Sequence, residues 1–410
     1  MNMMNAINAI AIITVITAAG MKKMRVRGMG GARVRGVRVA RPFALLLICG
    51  GLFLLALSLV SCGGGAAEQS PGADAGQAGQ TEKAGQAEQA PGSGAASADG
   101  AGSADGSGPL DGADGGLIVV GFSQVGAESD WRVANTKSMK AALSEANGFK
   151  LILTDAQQKQ ENQLAAIREF IAQKVDYIVL APVTEQGWDE TLKEAKAADI
   201  PVILVDRMIQ TSDDSLYTCW VGSDFRKEGE TAVAWIKEAF SGKDRLVIVH
   251  LQGSLGSSAQ IGRTEGLDAG LGANAAWELA VRESADFTQV RGKEVMDRIL
   301  KQFGRIDVVY CENDNMAFGA MDAMDEARRS YGVHGETAIV SFDATRKGLE
   351  ATLAGKINYN IECNPLHGPR VAQIIRQLEN GAVPGKLAYV DETAFDAATI
   401  TQGEIDARDY

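Results

Sequence analysis

The sequence predicts an α/β protein of two doubly wound lobes with parallel sheets and a ligand cleft between them. Three observations carry that expectation. Short apolar runs alternate with amphipathic stretches from residue 117 to 410; the runs are continuously apolar rather than alternating; and there are too many units for one compact sheet. A strand buried on both faces reads as an unbroken apolar run, which is the mark of a parallel sheet covered by helices. A chain of 410 residues also exceeds an ordinary single domain.

The elements follow in order. The expected strands of the first lobe are "LIVVGFS", "KLILTD", "DYIVLAP" and "PVILVD". "NQLAAIREFIAQK" and "GWDETLKEAKAAD" supply helices between them. This run ends near Ser223, and "FRKEGETAVAWIKEAF" opens the second lobe as a helix. The expected strands there are "RLVIVHLQG", "IDVVYCEN" and "TAIVSFD".

What precedes residue 117 reads as an address and a spacer. Residues 1–61 hold eight Lys or Arg and no acid, then run into "PFALLLICGGLFLLALSLVSC". A basic region, an apolar region and small residues ahead of a Cys form a signal peptide. "LVSC" resembles the bacterial lipobox, which makes Cys62 the expected lipidation site. A retained membrane-spanning anchor is the alternative, since the apolar run is long enough to cross a bilayer. Met21 or Met24 is the expected start. Residues 62–116 continue as lipidated Cys plus a Gly-, Ala-, Gln- and Ser-rich stretch with few large apolar side chains, expected to serve as a flexible tether.

Charge narrows the function. The formal net charge is −12. With the basic leader set aside, 32 basic residues stand against 52 acidic ones. Such a body lacks the basic face that a nucleic-acid binder needs, so no nucleic-acid partner is expected. Cys219, Cys311 and Cys363 form no CxxC pair and are read as buried free thiols or as one disulfide plus one thiol. Scattered His250, His334 and His367 and the absence of clustered His/Cys spacing predict no metal site. No GxxxxGK[ST], GxSxG or HExxH motif occurs, and no catalytic residue or cofactor is expected. His250 lies within a strand pattern and reads as a core residue. Paired strand-end acids leave glycoside hydrolysis as a minor alternative.

The strand ends carry the functional signal. Ser123, Asp155, Asp206 with Arg207, Asn313 with Asp314, and Asp343 all stand where an apolar strand stops. Ligands of open α/β sheets bind at these carboxyl ends. Carboxylates, amides, forked guanidiniums and aromatic faces suit a polyhydroxyl ligand. Trp131 and Arg132 belong at the rim of the cleft, with Trp131 against a sugar ring and Arg132 across its oxygens. Structural roles stay open for each: an ion pair for Asp206 and Arg207, a helix cap for Asn313 and for Asp343, core packing for Trp131.

From about 117 to 410 the chain resembles the periplasmic sugar-binding proteins of the ribose-binding type, which serve ATP-binding-cassette importers. The resemblance rests on "VDR" (205–207), "LQGSLGSSAQIGR" (251–263), "ADFTQVRGKEVM" (285–296), "ENDNMAFGA" (312–320) and "SFDATRKG" (341–348). "VGFSQVGAESDWR", "DAQQKQENQ", "APVTEQGW" and "GKEVM" resemble the galactofuranose-binding branch, whereas ribose binders carry Phe where Trp131 and Arg132 stand. The resemblance implies a type I periplasmic binding fold with a three-stranded hinge. Residues 117–223 and 364–390 would form the first lobe, and 224–363 and 391–410 the second.

It also implies a set of ligand contacts. Ser123, Glu128, Trp131 and Arg132 would line the first-lobe wall, beside the paired contacts Asp206 and Arg207. Arg263, Asn313 and the ring-packing Phe287 would face them from the second lobe. Asp343 would clamp ring hydroxyls, and Asn364 falls in the divergent stretch "IECNPLHG" (361–368). The implied partners are a monosaccharide, a membrane permease of an importer, and the membrane through the lipid anchor. The implied state is an extracytoplasmic monomer at the periplasm or cell surface. A sugar-sensing co-receptor for a chemoreceptor or sensor kinase is the alternative function.

Overall fold

Apolar side chains set the sheet order. The computed structural model describes residues 116–410, so the expected signal peptide, Cys49, the expected lipidation site Cys62 and the expected tether up to residue 115 lie outside the described residues. The first half runs β1 (Ile118–Gln124), α1 (Asp130–Ala142), β2 (Phe149–Asp155), α2 (Gln160–Gln173), β3 (Tyr177–Leu180), α3 (Asp189–Ala197), β4 (Val202–Val205) and β5 (Cys219–Gly222). Every residue of β3, β4 and β5 is buried. Fully burying a Val, Leu or Ile side chain contributes roughly 1.5–3 kcal/mol, so these short strands are held mainly by packing on both faces.

The chain then continues through α4 (Phe225–Ala239), β6 (Leu246–Gln252), α5 (Ser258–Ala273), β7 (Trp277–Ser284), α6 (Gln289–Gln302), β8 (Val308–Cys311), α7 (Asp314–Glu326), β9 (Ala338–Asp343), α8 (Arg346–Leu353) and β10 (Tyr359–Glu362). It ends with α9 (Gly368–Glu379), β11 (Leu387–Tyr389), β12 (Ala394–Asp396) and α10 (Gln402–Asp406). Two six-stranded sheets result, ordered β11-β5-β4-β3-β1-β2 and β12-β10-β9-β8-β6-β7. All pairings are parallel except β10 with β12, which is antiparallel. The fold is therefore two α/β lobes, each built on a largely parallel sheet.

The chain passes between the sheets after β5, after β10 and again after β11. The return after β10 is fastened at α9, where the Gly368 amide donates to Ser138 Oγ on α1 at 3.1 Å. In the second lobe α4 and α5 approach backbone to backbone. A Cβ on Gly266 would lie 2.5 Å from the Gly229 carbonyl carbon, so this crossing tolerates no side chain.

β5, β7, β10, β11 and β12 escape the sequence pattern. β7 is only partly buried and carries charges, and β11 and β12 are three residues each. Edge strands of this kind lack the continuous apolar run that signals a central strand.

Candidate functional site

The site forms where α1, the β4 end and the crossover after β10 meet the second lobe. Ser129 caps α1 by accepting from the Arg132 amide at 3.1 Å. That start fixes the next residues on the face toward the other lobe. A small cavity lies there. Its walls include Glu128, Trp131, Arg132, Asp206 and Arg207 from the first lobe, and Arg263, Phe287, Asn313 and Asp343 from the second. The structure thus brings nine of the eleven expected contacts together. Ser129, Phe225, Ala259 and Cys363 also line the cavity, and sequence reasoning did not select them.

Two expected contacts lie outside the cavity lining. Ser123 is fully buried inside β1, which runs one residue further to Gln124, and its hydroxyl does not line the cavity. Asn364 sits in the crossover after β10, where its Oδ1 accepts from the Leu366 amide at 2.9 Å and its own amide donates to Glu392 at 2.7 Å. The strand-end acids Asp155 and Asp314 also serve structure. Asp155 closes a turn by accepting from the Gln157 amide at 2.7 Å. Asp314 gathers Ser341, Thr345 and Asn360 through bonds of 2.7–2.9 Å and so fixes the start of α8.

The charged walls are an ordered ion network. The Arg132 guanidinium donates from Nε to Glu128 at 3.0 Å and from Nη1 to Gln124 at 3.2 Å, and pairs through Nη2 with Asp206 at 2.7 Å. It also lies 4.6 Å from the Trp131 ring centroid. Arg132 therefore spends much of its fork positioning two carboxylates, beyond the direct ligand role expected for it. Burial works against the Arg132 charge, yet Asp206 and Glu128 outweigh it and hold its pKa above the ordinary value. Burial likewise acts to raise Asp206, but Arg132 and Arg207 hold its carboxyl below the usual range.

Arg207 donates to the Val183 carbonyl at 3.1 Å and stacks 5.3 Å from the centroid of Phe287 in the other lobe. Burial, with Arg132 nearby, lowers it to about 10, so it stays charged at neutral pH. Across the cavity, Arg263 donates to Glu228 at 2.6 Å and approaches Asp343 to 3.8 Å. Burial pushes Asp343 well above the carboxylate range, against the pull of Arg263.

Local backbone strain marks the same residues. Asp206, Phe287 and Asp343 have φ of 61°, 62° and 101°, a region unfavourable to side chains. The Phe287 ring fits only because residue 253 is glycine. A Cβ there would lie 1.9 Å from Phe287 Cζ.

The alternatives for single residues now resolve. Asn313 caps α7, accepting from the Met316 amide at 2.9 Å, and lines the cavity as well. The helix after Asp343 is capped by Thr345, which leaves the Asp343 carboxyl free of that duty. Trp131 lines the cavity and also packs into the apolar cluster of the second lobe. Its Nε1 donates to the Cys363 carbonyl at 2.6 Å. Cys219, Cys311 and Cys363 are buried free thiols. His250 is a buried strand residue whose Nε2 meets Glu312 at 2.8 Å.

Two α/β lobes around a polar cleft are the architecture of a binding protein. The chain belongs to the periplasmic binding protein domain family, whose model matches residues 120–367. It is a substrate-binding protein and not an enzyme, and the family implies an extracytoplasmic location. It is 38% identical over 282 residues to the galactofuranose-binding protein YtfQ of Escherichia coli, covering 68% of this chain and 87% of that protein. A crystal structure from Mycobacterium smegmatis in complex with β-D-fucofuranose is 40% identical, with a TM-score of 0.67 over 71% of this chain and 93% of the other. The periplasmic component of the arabinose ABC transporter from Shewanella sp. ANA-3, bound to α- and β-L-arabinofuranose, is 37% identical, with a TM-score of 0.67 over 71% and 95%.

Proposed function

We propose that the protein captures a neutral monosaccharide in furanose form, galactofuranose or a related sugar, and hands it to an ATP-binding-cassette importer. The observation that carries this reading is a pair of buried polar atoms. Glu128 Oε2 and Arg207 Nε have no hydrogen-bond partner, and both residues wall the cavity. A buried acceptor and a buried donor left open in this way call for ligand hydroxyls. Each lining guanidinium already has a carboxyl group within 4.0 Å, which favours a neutral ligand over a phosphate or carboxylate. The furanose relatives support the choice of ring.

Glu128, Trp131, Arg132, Asp206, Arg207, Arg263, Phe287, Asn313 and Asp343 are the proposed contacts. The segments after β5, β10 and β11 act as a hinge. A sugar touching both walls stabilises the closed form, because only closure lets both sets of contacts form together. Cys62 would anchor the protein to the membrane, with residues 63–116 as the tether. A thermal-shift panel of galactose, arabinose, ribose and glucose tests the reading. Ligand at about a hundred times its dissociation constant adds about 2.7 kcal/mol, enough to shift the midpoint by several degrees. Galactose or arabinose should do so; no shift with any sugar overturns the reading.

A further inference from the structure

Beside the cavity, the three crossover regions converge on a second polar cluster, which shares only Cys363 with the cavity wall. Glu228 on α4, Cys363 after β10 and Glu392 between β11 and β12 each place one ligating atom within 4.8 Å of the others. Their sequence positions are far apart, so spacing gave no sign of them. Ser223, after β5, completes the group. Its Oγ lies 2.5 Å from Glu392 Oε1 and 3.4 Å from Cys363 Sγ.

One atom in this cluster is unaccounted for. Glu228 is 4% exposed. Its Oε2 accepts from Arg263 at 2.6 Å, while its Oε1 has no partner. A buried carboxylate oxygen beside a thiol and a second carboxylate is a candidate cation ligand. We propose that Glu228, Cys363 and Glu392 form a binding site for one thiophilic divalent cation of the zinc class, which fastens two of the crossovers to α4.

The chemistry favours that class. With all three ligands ionised the cluster carries a charge of about −3, Arg263 returns +1, and a divalent ion brings the sum to neutrality. A thiolate selects zinc-like ions over magnesium or calcium. Metal–ligand bonds of about 2.0–2.3 Å need only small side-chain rotations to draw these atoms onto one ion, and Ser223 Oγ or water can complete four-coordination. Coordination through Oε1 would leave the Glu228–Arg263 pair, and with it the cavity wall, in place. The ligand set is a sulfur and two carboxylates without histidine, a composition that the scattered histidines of the sequence do not exclude.

Cobalt(II) is the probe. The full chain, purified in detergent and titrated without sugar, should bind one cobalt with a thiolate-to-metal charge-transfer band, and zinc should displace it. Cys363→Ser should abolish the band, and Glu392→Gln should weaken cobalt binding by roughly tenfold or more. Cys219→Ser and Cys311→Ser should keep it. Absence of the band in the parent protein, or its persistence in Cys363→Ser, would overturn the proposal. Sugar-induced thermal shifts measured on the parent protein and on Glu392→Gln, whose changed residue does not line the cavity, read the sugar site separately, so failure of the metal site and failure of the sugar reading are distinguishable.

Discussion

The indole Nε1 of Trp131 donates a 2.6 Å hydrogen bond to the carbonyl oxygen of Cys363. One partner stands on α1 beside the cavity, and the other lies in the crossover that leads from the second sheet back to the first. The same indole meets His367 edge-on, with centroids 5.8 Å apart. Cavity wall and crossover are thus joined through one side chain.

Trp131→Phe keeps a ring in place and removes this bond. A buried hydrogen bond is worth roughly 1 kcal/mol, and more where a carbonyl is left without its donor. Sugar affinity should fall about tenfold, roughly 1.4 kcal/mol. Calorimetry gives the number; an unchanged affinity would show that the bond is indifferent to binding.

Arg132 serves as a positioning residue through Glu128 and Asp206. Arg132→Lys keeps a charge but loses the fork that engages both carboxylates. Sugar binding should weaken by at least about tenfold, or roughly 1.4 kcal/mol. Arg132→Ala should in addition destabilise the fold by about 3–5 kcal/mol, because it strands buried carboxylates. Calorimetry and urea unfolding read the two effects separately.

Gly253→Ala would push a methyl group into the Phe287 ring. Overpacking costs about 1–3 kcal/mol, and here the displaced ring is a cavity wall. The urea midpoint should drop and sugar binding should weaken together. A variant with unchanged midpoint and affinity would mean that the ring moves aside freely.

His367 supplies a pH signature. Its Nδ1 faces the Asn135 amide group at 3.2 Å, and its Nε2 is buried without a partner. Burial lowers its pKa from 6.5 to about 4, despite Asp206 and with Arg132 assisting. The unfolded chain therefore binds a proton that the folded chain refuses. Stability is retained above the unfolded value and falls as pH drops through the window from about 6.5 to 4. Between about pH 7 and pH 5 the cost is about 2 kcal/mol. Asp314, raised to about 6 by burial, works in the opposite direction, so the comparison must be with His367→Gln. The parent should lose about 2 kcal/mol more than the variant over that interval in urea unfolding. Parallel pH profiles would contradict the assignment.

The central strands and their polar ends were legible because burial on both faces leaves an unbroken apolar run that stops abruptly at the site. Asp206, Arg207, Asn313 and Asp343 could be found this way. Edge strands such as β7 and β12 were not legible, since partial burial erases the run. Phe225, Ala259 and Cys363 went unselected because ordinary core residues become cavity walls only when the lobes meet. Ser123 falls outside the cavity lining because the strand extends one residue beyond it. The Glu228–Cys363–Glu392 cluster was invisible for another reason: three crossovers assemble it, and no spacing along the chain encodes it.

The most direct test of the central claim is titration calorimetry of the protein with free galactose and arabinose, set against methyl galactopyranoside, whose ring is locked. The account predicts saturable one-to-one binding of at least one free sugar, which can reach its furanose form, and none of the locked pyranoside. Heat from the pyranoside alone, or from none of the three, would contradict it.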